Sequence, residues 1–335
     1  MVAENLQKAS VTNDLRFLWL EITGRCNLSC SHCYAESGSE AELHGSLTYR
    51  DWTRIIDEAA ELGCRSVSFI GGEPTMHPRL SDLVEHANCH GFEFIEVFTN
   101  ATRLDKGLVD CFHRCGVHVA ASFYSDDPGV HEQITGGKGS WQQTVQGLKN
   151  VLTAGLRLRV GVIETVRNAG HASHAIEFLK SLGVRDIRVD RQRHVGRSRP
   201  ARPADEKEHF EELCGQCWKG KLCVTSSGEA FPCVFSRATR LGDATSGLAG
   251  IMKTAKLADF RRRVRAMYEG VPSDENVPWT PSASATQCNP DDCGPGGCNP
   301  AAGCNPDGCG PGSCNPAAHL RPEAARNTSV PLPVG

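Results

Sequence analysis

The sequence predicts an α/β protein: a parallel sheet built from six βα units, then a small second module and a tail rich in Cys, Pro and Gly. Three observations carry this expectation. From Phe17 to Asp190, short apolar runs alternate with amphipathic stretches, the pattern of repeated βα units. Near Arg191 the alternation gives way to an arginine-rich connector, and a module from about Ala204 to Gly270 follows. After Val271 the composition turns to Pro, Gly, Ser, Asn and Cys, with almost nothing apolar to bury. The expected units are therefore 1–203, 204–270 and 271–335. Six βα units are two short of a closed eight-stranded barrel, which leaves an incomplete barrel or an open parallel sheet.

The strands expected in order are Leu18 to Ile22, Ser66 to Ile70, Phe94 to Phe98, Val117 to Phe123, Arg157 to Glu164 and Asp186 to Val189. The first helix has the clearest signals. Thr48 can cap it with Asp51 at the third helical position, Trp52, Ile55, Ile56, Ala59 and Leu62 share a face, and Gly63 can end it. Further helices are expected near Pro78 to Cys89, Leu104 to Cys115, Trp141 to Ala154 and Ser173 to Leu182. In such a sheet, chemistry belongs at the C-terminal ends of the strands.

Composition narrows the function class. A formal charge of -3 gives no global reason to bind nucleic acid. No apolar run reaches the length of a spanning helix, and Met1 to Lys8 is polar with no signal-peptide core behind it, so a cytoplasmic protein without membrane contact is expected. The 17 cysteines are the anomaly. Without an export signal they argue for metal or catalysis rather than a disulfide framework. Cys64, Cys89, Cys111 and Cys115 are scattered and read as ordinary thiols. The others are grouped.

The decisive group is Cys26, Cys30 and Cys33, in a C-x3-C-x2-C spacing directly after the first strand. Three thiolates on one loop can hold one iron–sulfur cluster and leave one iron open, whereas structural zinc wants a fourth ligand that is not local. The segment resembles the fingerprint of the radical SAM superfamily, with His32 at its aromatic position. The likeness continues in Gly71-Gly72-Glu73-Pro74 at the second strand end, in Thr99-Asn100 at the third and in Ser122 at the fourth. Adjacent glycines allow close backbone approach, and a carboxylate suits an ammonium.

That resemblance implies a partial (β/α)6 TIM barrel. It also implies a 4Fe-4S cluster on Cys26, Cys30 and Cys33, with S-adenosylmethionine (SAM) held by His32, Gly71, Gly72, Glu73, Pro74, Asn100 and Ser122. SAM would chelate the open iron, an electron from the cluster would break the sulfonium bond, and the 5'-deoxyadenosyl radical would abstract hydrogen from the substrate. A flavodoxin- or ferredoxin-type reductant is implied as well.

Cys217 and Cys233 flank Gly228 at ten and four intervening residues, in a stretch that reads as a hairpin with a Ser-Gly turn. This is similar to the opening half of the SPASM or twitch module, which implies an auxiliary iron–sulfur cluster on Cys217 and Cys233, with Cys214 and Cys223 as further candidates. The second half departs from that pattern. Cys288, Cys293 and Cys298 recur sixteen residues later as Cys304, Cys309 and Cys314, in two copies of C-x4-C-x4-C. These triplets could complete or add a cluster, bind zinc, or form a flexible thiol tail. Arg191, Arg193, Arg197, Arg199 and Arg202 are open to two readings, a solvated linker or an anion clamp.

The substrate expected first is a ribosomally made peptide, matured by a carbon or thioether crosslink. About fifteen residues precede the first strand, too few for a fused leader-binding domain, so peptide recognition is expected to need a separate leader-binding protein or another surface of the chain. The alternative is a natural-product enzyme acting on a carbohydrate or nucleoside as decarboxylase, dehydrogenase or epimerase. A more distant one is a non-enzymatic metal-binding protein. Tyr124, Asp126 and Asp127 are candidates to line the site.

Overall fold

A computed structural model of the chain describes residues 15–199 and 210–269. The expected tail, with Cys288 to Cys314, and Arg202 lie outside the described residues. The βα alternation is realised as β1 (Phe17–Thr23), α1 (Tyr49–Glu61), β2 (Ser66–Gly71), α2 (Leu80–Cys89), β3 (Phe94–Thr99), α3 (Lys106–Arg114) and β4 (His118–Phe123). Then come α4 (Pro128–Thr135), α5 (Ser140–Thr153), β5 (Leu158–Glu164), α6 (Ala172–Ser181) and β6 (Asp186–Arg191). The capping box that starts α1 forms as expected. Thr48 Oγ1 accepts from the Asp51 amide at 3.3 Å and the Asp51 carboxylate accepts from the Thr48 amide at 2.9 Å. Trp52, Ile55, Ile56 and Ala59 turn inward from it.

The six strands lie parallel in sequence order, and the sheet stays open. What the sequence did not predict is how it continues. The second module supplies β7 (Lys221–Val224), β8 (Glu229–Phe231) and β9 (Gly242–Asp243), and β7 pairs parallel with the free side of β1. β8 and β9 then follow antiparallel, giving the order β6-β5-β4-β3-β2-β1-β7-β8-β9. The expected hairpin is thus part of the main sheet. β1 becomes a central strand with all seven residues buried, whereas β6 at the edge is largely half-exposed.

Helices α7 (Leu248–Met252) and α8 (Ala255–Glu269) close the described chain. Two apolar clusters hold the elements together. One joins α1, α2 and α5 to the faces of β1 to β5, and the other gathers Phe17, Trp19, Ile70, Trp218, Phe231, Phe235 and Phe260 around the second group of cysteines. Each fully buried large side chain contributes about 1.5–3 kcal/mol. No helix among the described residues is long and apolar enough to cross a membrane.

Candidate functional site

At the C-terminal ends of the parallel strands a cleft with ≈ 870 Å³ of empty space opens to solvent. Cys26, Cys30 and Cys33 line it together with His32, Gly71, Gly72, Asn100 and Ser122. Glu73 and Pro74 sit behind these residues, buried away from the cleft.

The cysteine loop is fixed from three sides. From β2, the Gly72 amide donates to the Thr23 carbonyl and the Glu73 amide to the Arg25 carbonyl, both at 2.8 Å. This approach is open only to glycine: a Cβ on Gly72 would lie 2.2 Å from the Arg25 oxygen, and one on Gly71, at φ +137°, 2.4 Å from the Thr23 oxygen. From α4, the free carbonyls of Thr135 and Ile134 accept the amides of Ser29 and Ser31 at 2.9 and 3.0 Å. After β6, Arg197 donates its amide to the Cys33 carbonyl at 3.0 Å and its Nε–H to the Cys30 carbonyl at 2.8 Å.

Glu73 ties the strand ends together. Its carboxylate accepts from Thr75 N and Oγ1, Thr99 Oγ1 and the Asn100 amide at 3.1, 2.6, 2.5 and 2.7 Å. Burial pushes its pKa up against the pull of these bonds. Three of these bonds fall on Oε1 and one on Oε2, so the carboxylate that the resemblance assigns to a ligand's ammonium is also a tie between strand ends. Asn100 lines the cleft, but its Nδ2 donates to Asn27 Oδ1 at 2.9 Å and reaches Cys26 Sγ at 3.7 Å, while its Oδ1 accepts from Thr102.

Two sulfurs accept backbone donors, Cys26 from Leu28 N and Cys33 from Ser37 N, each at 3.4 Å. Burial, then Glu73 and neighbouring thiols, push Cys26 up to about 12; burial and the other two cysteines do the same to Cys30. Such thiols become thiolates only against a strong positive charge, which a metal centre supplies. Among the described residues, the sets of three ligand atoms within 4.8 Å of one another are Asp57–His86–His90 and Glu85–Cys111–Cys115, not the cysteine loop.

His32 stands edge-on to Tyr124 with ring centroids 5.0 Å apart, and burial followed by Arg197 pulls its pKa down to about 4. Its Nδ1 and Ser37 Oγ are buried without hydrogen-bond partners among the described residues. Ser122 engages Tyr124. Of the other lining candidates, Tyr124 reaches the cleft, whereas Asp127 is the N-cap of α4, accepting from Val130 N at 2.9 Å, and Asp126 lies off the wall.

The arginines of the connector are not simply solvated. Arg191 pairs with Glu212 at 3.2 Å, Arg193 pairs with Asp190 at 2.7 Å in a buried bridge, and both line the cleft with Arg197. Sequence reasoning missed Tyr34, Ser37, Phe98, Gln192 and Phe235. Adjacency to Cys33 and Cys233 was the available signal for Tyr34 and Phe235.

Cys217 and Cys233 are buried, and Cys214 Sγ lies 3.7 Å from Cys217 Sγ. Hydrogen bonds with Cys214 and Cys233, then burial, push the Cys217 thiol well up. Cys223 stands beside them near Arg237 and is likewise raised by burial. Four thiols therefore converge, and the apolar cluster around them reaches Tyr34 and Phe235 on the cleft wall.

Comparison with known proteins follows the same outline. The sequence pattern of the radical SAM superfamily matches residues 20–168. The antilisterial bacteriocin subtilosin biosynthesis protein AlbA of Bacillus subtilis (strain 168) is 26% identical over 254 residues, 67% of this chain and 56% of that protein. A PqqA peptide cyclase of Granulibacter bethesdensis is 28% identical over 181 residues, 53% of this chain and 48% of the cyclase. The chain thus spans about half the length of the curated relatives it matches. In fold it is similar to the crystal structure of Streptococcus suis SuiB bound to SAM, with a TM-score of 0.61 at 16% identity over 76% of this chain and 68% of SuiB.

Proposed function

With a radical SAM domain at residues 20–168 as premise, we propose that this chain is a radical SAM enzyme that matures a ribosomally made peptide by forming a crosslink. The observation that carries the radical chemistry is one cleft lined by Cys26, Cys30, Cys33, His32, Gly71, Gly72 and Ser122. The donor set fits a 4Fe-4S cluster: three cysteines lining one cleft, with amide donors on two of the sulfurs. The partnerless His32 Nδ1 and Ser37 Oγ fit a polar nucleoside cofactor such as SAM. When bound, the pair supplies reductive cleavage of SAM and abstraction of hydrogen from a carbon of the substrate.

The chain's own residues orient and exclude. Arg197 and the end of α4 clamp the loop, Asn100 steadies Cys26, and Tyr34, Phe98, Tyr124 and Phe235 form an apolar wall that keeps water from a reactive intermediate. Cys214, Cys217 and Cys233 are the proposed holders of an auxiliary cluster. A flavodoxin- or ferredoxin-type protein would deliver the electron.

The peptide reading is supported by two relatives whose names specify bacteriocin biosynthesis and peptide cyclisation. The test reconstitutes the full chain anaerobically with iron and sulfide, then adds SAM, a strong reductant and the short peptides encoded beside its gene. We expect 5'-deoxyadenosine, lost in Cys30→Ala, and a peptide lighter by two hydrogens per crosslink. Deoxyadenosine formed in Cys30→Ala would sink the radical assignment. A response to sugars or nucleosides, with the peptides unchanged, would sink the peptide one.

A further inference from the structure

Outside the cleft, α1 and α2 bring three ligand atoms together on the outer layer. Asp57 lies on α1, His86 lies in the last turn of α2, and His90, four residues on, is the C-cap of α2. Asp57 Oδ1 is 2.6 Å from His86 Nε2 and 3.4 Å from His90 Nε2, and the two imidazoles stack with centroids 4.0 Å apart. All three ligand atoms fall within 4.8 Å of one another.

A simple hydrogen-bond account satisfies only half of this arrangement. His86 can donate its Nε2–H to Asp57. His90 cannot do the same as a neutral ring. Its Nδ1 lies 2.8 Å from the His86 carbonyl, an acceptor, so Nδ1 carries the proton and Nε2 is left with a lone pair. That nitrogen lies 3.4 Å from the carboxylate oxygen, also an acceptor. Two acceptors this close are stabilised by a positive charge beside them, supplied by a proton on His90 or by a metal ion. The tie from Nδ1–H to a backbone carbonyl is also the arrangement that orients a histidine for metal ligation through Nε2.

We propose that Asp57, His86 and His90 form a binding site for a divalent d-block cation such as Zn²⁺ or Ni²⁺, separate from either cysteine group. Two imidazoles at i and i+4 with one carboxylate make a borderline donor set suited to these ions, with a remaining position open to water. On binding, the proton on His86 Nε2 passes to solvent and its lone pair turns to the metal; His90 needs no change. The ion would pin α1 to α2, the helices that follow the strands leading to the cysteine loop and the paired glycines.

The test uses the full chain after anaerobic iron–sulfur reconstitution, titrated with Ni²⁺ by calorimetry beside four variants. His86→Ala and His90→Ala should each lack one nickel equivalent that the parent binds, Asp57→Asn should weaken that equivalent about tenfold, and the cysteine sites are common to all. His171→Ala, at a histidine pair elsewhere on the surface, should match the parent. Saturating nickel should also raise the parent's melting temperature more than that of His90→Ala. Equal nickel stoichiometry in the parent and both histidine variants would overturn the proposal. Circular dichroism on the metal-free variants separates a lost ligand from a lost fold, and Asp57→Asn, which keeps the shape of the side chain, decides the matter if either alanine variant unfolds.

Discussion

A single methyl group at Gly72 would drive into the Arg25 carbonyl, and that steric fact links the glycine pair to the cysteine loop more directly than any ligand does. Gly72→Ala is therefore expected to cost about 1–3 kcal/mol of stability, as overpacking does, and to lower the iron retained per chain after reconstitution. Denaturant midpoints and iron assays check both. Glu73 makes a sharper case. Gln in its place would turn an NH2 group toward donors, leaving buried groups unsatisfied at about 1–3 kcal/mol. The loss should appear in the cluster-free chain. An unchanged midpoint there would mean that the carboxylate serves only a ligand. At this scale the sequence revealed the residues of chemical type and fixed spacing, Cys26, Cys30, Cys33, Gly71 and Gly72. It did not reveal that Glu73 and Asn100 also hold strand ends, because the partners that do so, Thr99 and Asn100 for Glu73 and Asn27 for Asn100, are twenty-six or more residues away.

Among the elements, β1 to β5 were legible because they are largely buried apolar runs, β6 because it continues the βα alternation, and α1 because its cap and apolar face agree. Helix α4 was not. Asp127 and Pro128 mark its start and Gly136, at φ +68°, its end, but eight residues containing Pro-Gly read as a turn. The pairing of β7 with β1 was hidden for another reason: no local pattern announces a partner about two hundred residues distant. Yet α4 carries two of the cysteine loop's anchors, so its stability should govern the loop's. His131 on α4 is buried between Phe123 and Tyr124, and burial lowers its pKa from 6.5 to about 4. In the unfolded chain it takes up a proton below pH 6.5, whereas the native chain does not until about pH 4. Unfolding is therefore favoured as pH falls through that window, by up to about 1.4 kcal/mol per pH unit for this ring. His131→Leu should flatten the pH 7 to pH 5 slope of the denaturation midpoint while leaving the share due to His77, which burial also lowers to about 4. Identical slopes in parent and variant would remove His131 as a cause.

Across the whole molecule, β1 joins the two cysteine groups: the first loop leaves its end, and β7 lies along its side. Glu21 on β1 pairs with Arg237 of the second module, whose guanidinium lies 5.7 Å from the Tyr34 ring centroid and 5.2 Å from that of Phe231. Tyr34 in turn meets Phe235 edge-on at 5.6 Å. Burial works against the charge of Arg237, but Glu21, then Cys223 and Tyr34, keep it protonated. Breaking such a pair leaves an uncompensated charge, at a cost of about 3–5 kcal/mol, whereas replacing both partners with neutral groups is far milder. Arg237→Met should therefore lower the iron that reconstitution loads onto the proposed cluster sites, since Glu21 loses its partner beside the wall they share. Glu21→Gln with Arg237→Met should recover most of the stability and the metal content of the first loop. Iron per chain and the denaturation midpoint of the four proteins in this double-mutant cycle measure the coupling directly. If the double variant is no more stable than Arg237→Met alone, Glu21 is not what Arg237 neutralises, and the second module is held to β1 by strand pairing and apolar contact without this latch.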